Sequence, residues 1–269
     1  MKGRVLVIAG SDSGGGAGIQ ADIKTITALG GYAMTAITAL TAQNTQGVHA
    51  IHSVPVDFLR AQMECVLADI GADVVKTGML GSAETIATVC DVLERHACGV
   101  PIVVDPVMVA KGGARLLEDD ALSMMKRRLL PLATIITPNL PEAEALAGMP
   151  IQGVPEMGRA AEFMLTLGVP AVLLTGGHLT GDRLVDLLAT EHGVENFSSV
   201  RIHTRHTHGT GCTLASAIAA GLAQGLSLRD AVIRARAYVH AAIAAAPGYG
   251  AGHGPINHAV TFDPARLSK

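Results

Sequence analysis

His208-Gly209-Thr210-Gly211-Cys212 holds the densest chemistry in the chain. Two glycines ahead of a small-residue apolar helix let backbone N–H groups turn toward an anion with no Cβ in the way. The helix N-terminus adds its dipole, so a phosphate or a developing oxyanion suits the spot. Cys212 falls at the helix start, a position that tends to lower a thiol pKa and makes it a candidate base or nucleophile. The same residues also read as an ordinary glycine turn with Cys212 as a small buried hydrophobe. On this stretch alone both readings stand.

Other residues of chemical interest follow short apolar runs. Arg4-Val-Leu-Val-Ile-Ala-Gly10 leads into the glycine-rich Ser11–Gly18, then an amphipathic helix Ile19–Leu29 carrying Asp22. Strand, glycine loop and helix form a ligand-cradling unit, although the loop fits neither a dinucleotide fingerprint nor a Walker A loop. On spacing alone, Asp22 reads as a solvated helix-face carboxylate. Gln43 follows the strand Tyr32–Leu40, and its amide suits a donor and an acceptor on a heterocycle, with simple turn chemistry as the alternative. Lys76, Gly78 and Met79 end the strand Asp73–Leu80. Asp105 ends Val100–Val104 ahead of a proline, where a carboxylate is more often functional than structural. Asn139 and Glu142 have capping-box spacing, and the same pair suits water held around a magnesium ion.

The elements that must position these groups alternate strand and helix from end to end. The predicted helices include Asp57–Ile70, Glu84–Ala97, Glu118–Leu130, Pro155–Leu167 and Leu228–Ala246; Thr134–Pro138, Ala171–His178 and Leu184–Leu188 are predicted as strands. Lys111-Gly-Gly-Ala reads as a turn. This pattern argues one α/β domain over 1–269 with a mainly parallel sheet and helices on both faces. The loops with Gly14, Gln43, Met79, Asp105, Asn139, Gly176 and Gly209 then gather on one rim. Hydrophobic residues make up 49% of the 269 but aromatics only 3%, so the core is aliphatic. A net charge of −3 gives no case for nucleic acid or an anionic membrane. No apolar run is long enough to span a bilayer. Four scattered cysteines without paired spacing favour reduced thiols and a cytoplasmic protein.

Val7–Asp22, Thr38–Thr45, Lys76–Leu80, Val104–Met108, Thr137–Glu144, Thr207–Cys212 and the closing Gly252–His258 together resemble the hydroxymethylpyrimidine/phosphomethylpyrimidine kinases of thiamin biosynthesis, in the ribokinase superfamily. The resemblance covers nearly the whole chain, in order. It implies a single-domain ribokinase-like three-layer sandwich and transfer of phosphate from ATP, with Mg2+, to the aminopyrimidine alcohol and then to its monophosphate. It also implies a pyrimidine pocket of Gln43, Asp22, Met79, Gly10 and Val107, and an anion hole of Gly209, Thr210 and Gly211. Cys212 stands where most of the superfamily carries an aspartate base. Asp105, Asn139, Glu142, Thr175 and Gly177 match nucleotide-side positions, with Glu142 and Asp105 toward the metal; a homodimer is the superfamily habit. One departure is Thr175, where family members often carry a lysine. A missing cation weakens electrostatic stabilisation of the transferring group, and Lys76 or Lys111 are the residues that would compensate. Competing readings are a pyridoxal-type vitamin kinase, a pyrimidine-binding sensor without catalysis, and a nicotinamide-dependent dehydrogenase. The last lacks its ribose-binding acid.

Overall fold

The computed structural model describes residues 1–109, 113, 116–179 and 181–262, so Lys111, Gly112 and Ala114 of the expected turn lie outside the described residues. The strands are β1 (Arg4–Asp12), β2 (Tyr32–Asn44), β3 (Gly47–Ser53), β4 (Val74–Thr77), β5 (Ile102–Val104), β6 (Ile135–Ile136), β7 (Ala171–Leu174), β8 (Arg183–Thr190) and β9 (Gly193–Val200). They form one sheet in the order β3-β2-β1-β4-β5-β6-β7-β8-β9. From β2 to β7 the neighbours are parallel; β3, β8 and β9 join antiparallel.

The helices are α1 (Gly18–Ala28), α2 (Val56–Asp69), α3 (Ala83–His96), α4 (Asp119–Met124), α5 (Leu140–Ala147), α6 (Val154–Leu165), α7 (Thr210–Ala223) and α8 (Leu228–Ala244). Alternation along β1 divides the core into two layers. Leu6 and Ile8 pack with residues of α2 to α6, such as Met63, Val89, Leu146 and Met157. Val5, Val7 and Ala9 pack with α1, α7 and α8 through Ile26, Ile218 and Val232. Strands buried on both faces read as unbroken apolar runs for this reason. The three-layer sandwich expected from the sequence is therefore present.

Two strands escaped sequence reading. β3 carries no apolar alternation and is almost entirely exposed, so its pairing rests on the backbone ladder with β2. β9 is likewise largely exposed and pairs along its whole length with β8. The predicted helix Glu118–Leu130 is α-helical only to Met124; it widens to a π turn over Met125–Leu129 and tightens to a 3-10 turn over Leu130–Leu132. Pro131 lacks the N–H that an α-helix would need there.

α7 is the central helix of its layer. Its small residues let Leu214 to Gly221 lie almost wholly buried against the sheet, and a Cβ on Gly221 would press into Ala231 of α8. The N-terminus of α7 thereby reaches the carboxyl ends of β1, β4 and β5, at the rim where open α/β sheets bind ligands.

Candidate active site

Gly209 caps α7 with φ at 84°, a left-handed conformation that glycine tolerates. A Cβ there would also strike the carbonyl oxygen of Gly16 in the glycine-rich loop. Loop and helix start thus touch backbone to backbone. Gly209 and Thr210 are half-buried and Gly211 is exposed, so the turn stays open to an anion. Thr210 donates its hydroxyl to the Thr207 carbonyl at 3.1 Å, which steadies the turn.

Beneath the hole lies a buried charge cluster. Lys76 Nζ stands 3.0 and 3.2 Å from the Asp22 oxygens and 3.9 Å from Asp105 Oδ2. The Ser216 hydroxyl of α7 donates to Asp22 Oδ1 at 2.6 Å. Burial works against the Lys76 ammonium, but Asp22, then Cys212 and Asp105, hold its pKa above the ordinary value. Asp22 corrects the sequence reading: it is 0% exposed rather than solvated. An unpaired buried carboxylate would be costly, and the amphipathic pattern of α1 does not reveal the partner on β4. Lys76 is also 0% exposed and engaged by Asp22, so it does not replace the lysine missing at Thr175.

Cys212 brings a second correction. Burial pushes its thiol up to about 12, outweighing Lys76, which acts to lower it. Nearby Asp105 and Asp22 add negative charge and reinforce the rise. The helix-start effect is therefore overridden, and the ligand-free thiol is protonated.

Asp105, at the end of β5, is pushed up to about 6 by burial against the pull of Lys76. Its Oδ2 has no hydrogen-bond partner. Asn139 and Glu142 form the anticipated capping box: Asn139 N–H donates to Glu142 Oε2 at 2.9 Å and Glu142 N–H to Asn139 Oδ1 at 3.0 Å. Burial and then Asp105 push the Glu142 carboxyl up to about 8. Thr175, half-buried, pairs with the Pro138–Asn139 backbone, its N–H donating to Pro138 O at 3.0 Å. Gly177 is exposed beyond it. All of the positions expected on the nucleotide side except Thr175 and Gly177 follow β5 or β6; those two follow β7.

On the other side, Met79 is half-buried after β4, and its methyl packs where a Cβ on Gly10 would sit. Val107 is half-buried two residues beyond Asp105, its N–H turned back to the Asp105 carbonyl at 2.8 Å. Gln43 Oε1 lies 3.1 Å from the Thr41 hydroxyl, and its Nε2 lies 3.4 Å from His208 Nε2.

Two residues central to this side carried only a weak signal in the sequence. Asp12 ends β1 and accepts N–H bonds from Gly14, Gly16 and Ala17 at 2.8, 3.1 and 2.8 Å. Its Oδ2 lies 2.8 Å from His208 Nε2. Burial alone would raise the Asp12 carboxyl, but His208 and those loop amides hold it below the usual carboxylate range. An aspartate opening a glycine run is a loop-organising signal, whereas its partner 196 residues away is not legible locally. The Gly252–His258 tail also returns to the site: the His208 N–H donates to Gly254 O at 3.1 Å and the His253 N–H to Thr45 O at 2.8 Å.

Residues 12–257 match the model of the family described as phosphomethylpyrimidine kinase. The chain belongs to this family. A hydroxymethylpyrimidine/phosphomethylpyrimidine kinase of Rhizobium meliloti is 50% identical over 94% of this chain and 96% of its own length. A thiamine biosynthesis bifunctional protein of Geobacter sulfurreducens is 53% identical over 98% of this chain, which spans 54% of that relative. Among solved structures, the phosphomethylpyrimidine kinase of Clostridium difficile is 43% identical with a TM-score of 0.79, covering 89% of this chain and 98% of the other. The ADP complex of Bacillus subtilis pyridoxal kinase is 37% identical with a TM-score of 0.90, covering 97% and 98%. As a phosphomethylpyrimidine kinase family member, the chain is a ribokinase-like phosphotransferase. Among the described residues, no helix is long and apolar enough to cross a membrane.

Proposed function

We propose that the chain phosphorylates the hydroxymethyl group of 4-amino-5-hydroxymethyl-2-methylpyrimidine with ATP and then phosphorylates the monophosphate to the diphosphate. The juxtaposition of Gln43 and the hole carries the reading. Gln43 lies beside His208, and His208 directly precedes Gly209, so a ring-reading amide adjoins a phosphate-sized nest of N–H groups. The two steps use one site: in the second, an oxygen of the substrate's own phosphate takes the place of the hydroxyl as acceptor, and the hole again receives the phosphoryl group arriving from ATP.

The Gly209–Gly211 backbone amides hold the transferring oxygens, and the α7 dipole favours their charge. Cys212 orients the substrate hydroxyl. Its thiol is protonated at rest, so it works as a relay: late in the transfer, once bonding to phosphorus has made the hydroxyl acidic, it passes its own proton to an oxygen of the transferred phosphoryl group as it accepts the hydroxyl proton. A loose transition state asks for no early base. Gln43 holds the heterocycle, with Met79, Gly10 and Val107 as walls and Asp22 as the support beneath. Thr175, Gly177 and Asn139 flank the nucleotide.

The donor set suits Mg2+. Asp105 presents a buried oxygen without a hydrogen bond, and its negative charge raises the neighbouring Glu142; hard divalent cations take one or two carboxylates with substrate phosphates. Asp105 and Glu142 would hold the ion, which supplies charge neutralisation on the phosphates when bound. The chain acts as a single catalytic domain, and its free cysteines Cys65, Cys90, Cys98 and Cys212 suit a reducing cytoplasm. Leu40 and Ile51, 47% and 46% exposed near the β3 edge, suit a homodimer contact that sedimentation would detect.

The deciding assay follows ADP release and phosphate transfer to the alcohol and to its monophosphate separately. No transfer to either sinks the reading. Pyridoxal kinases among the structural neighbours give a second reading, so pyridoxal is run beside the pyrimidine, with the pyrimidine giving the higher kcat/KM.

A further inference from the structure

Unlike α3, α5 and α8, which Ser82, Asn139 and Ser227 cap, α7 starts without a side-chain cap among the described residues. A cap there would occupy first-turn N–H groups that the hole offers to phosphate. The segment bearing the hole is instead held from outside, at both ends, by one piece of chain. Just before the hole, the His208 N–H donates to Gly254 O at 3.1 Å, and the His208 backbone bridges to Pro255. Just after it, Thr213 Oγ1 lies 2.9 Å from His258 Nε2. Thr213 is 0% and His258 6% exposed, so their bond is shielded from water. Burial, then Lys24 and His208, push the His258 ring down to about 4, which leaves it neutral. Either tautomer of a neutral ring bonds a hydroxyl, which both donates and accepts. The tail is itself fixed on α8: the Tyr238 hydroxyl donates to His258 O at 2.6 Å and the Asn257 N–H to Ala242 O at 3.0 Å.

We infer that the Gly254–His258 tail is a clamp on the anion hole, and that His258, acting through Thr213, is a positioning residue for phosphoryl transfer. Contacts at His208 and Thr213 bracket the stretch from Gly209 to Cys212, so the hole and the thiol lie between two fixed points. Thr213 directly follows Cys212, and its own N–H donates to Gly209 O at 2.9 Å. A shift of Thr213 is therefore passed across the whole turn. Donors aimed at developing charge work because they are already in place when the charge appears. A small misplacement, even one caused far from the reacting atoms, can cost large factors in rate. The tail supplies that rigidity while leaving the first-turn N–H groups to the ligand.

This inference rests on the hole and Cys212 as the place of transfer, and Cys212→Ala tests that reading by itself. Unchanged turnover there overturns the reading and this inference with it. The kcat, and KM for the pyrimidine alcohol and for ATP, are then measured in His258→Leu, His258→Gln, Thr213→Val and Thr213→Val/His258→Leu, well below each melting temperature. His258→Leu and Thr213→Val each lower kcat about tenfold and leave both KM values within about twofold, because the hole acts chiefly in the transition state. The double variant loses no more than about the larger single loss, as two ends of one bond should. His258→Gln returns an amide near the Nε2 position and keeps kcat within about threefold of wild type. A tail that only adds stability would lower the melting temperature and leave kcat as it was. With Cys212→Ala impaired, unchanged kcat in Thr213→Val, additive losses in the double variant, or a His258→Gln loss equal to that of His258→Leu overturns the clamp alone. If His258→Leu does not fold, Thr213→Val decides, since it removes the same bond and keeps the ring: a lower kcat upholds the clamp and an unchanged one overturns it.

Discussion

The two halves of the site, proposed here for the pyrimidine and for the nucleotide, differ in how they pair buried charge. On the pyrimidine side Asp22 has Lys76 and Ser216, and Asp12 has His208 and three loop amides. On the nucleotide side, Asp105 keeps an oxygen with no hydrogen bond, and Glu142 is raised by burial and by Asp105 itself. One half has its partners within the chain, although burial still raises the Asp22 carboxyl against Lys76 and Ser216. The other carries negative charge that a cation arriving with a phosphate ligand would neutralise. On the proposed reading, the difference teaches that the pyrimidine half is paired before substrate arrives, whereas the phosphate half is completed by what binds.

The largest effect that would break this contrast is on Lys76. Lys76→Met strands the Asp22 carboxylate in the core, and losing one partner of a buried pair costs about 3–5 kcal/mol. Urea denaturation should show that loss, with much of it recovered in Lys76→Met/Asp22→Asn. A single variant as stable as wild type would show that the pair is not what balances this side. Next comes Cys212→Ala, where turnover should drop on the order of 100-fold, the scale of a lost proton-handling group. Its melting temperature should fall far less than that of Lys76→Met, because alanine at the start of α7 strands no buried charge. Near wild-type turnover would remove Cys212 from the reaction.

On the nucleotide side the sharper probe is pH. The Glu142 carboxyl is raised from 4.5 to about 8, so the folded protein binds its proton more tightly than the unfolded chain does. That preference favours folding most fully below pH 4.5 and is lost as pH rises through 8; Asp105, raised to about 6, adds to the same trend. Thermal stability of the ligand-free protein should therefore decline from pH 5 to pH 8.5. Glu142→Gln should flatten the decline, and Mg2+ with ATP should offset it. An equal slope in Glu142→Gln would place the negative charge elsewhere.

The same contrast explains what could be read in the sequence. The parallel strands, the rim loops and the Asn139/Glu142 cap were all legible, because they depend on local runs and three-residue spacing. The glycine turn ahead of α7 was legible too, through Gly209 and its neighbours. What escaped was long-range pairing of charge. Nothing near Asp22 announces Lys76, 54 residues on, and nothing near Asp12 announces His208. The Cys212 thiol was misread for the same reason: a helix start is a local feature, while burial by the assembled fold is not. β3 and β9 stayed hidden because their exposed faces carry no alternation to detect.

The smallest predicted effect tests whether the two halves act independently. Thr175 sits beside the cap, its N–H on Pro138 O and its backbone bridged to Asn139. Thr175→Lys adds a flexible cation at a half-buried position, where solvent screens much of its charge. KM for ATP should fall about threefold to tenfold, since an added cation next to phosphates gains a charge-assisted contact. KM for the pyrimidine should not move, because Gln43, Asp12 and His208 are already satisfied among themselves and their loop. The added cation should also shrink the stability decline between pH 5 and pH 8.5 by favouring ionised Glu142. If both KM values shift together, the two halves are coupled through the Asp105–Lys76 contact at 3.9 Å, and Lys76→Met would then be the variant that uncouples them.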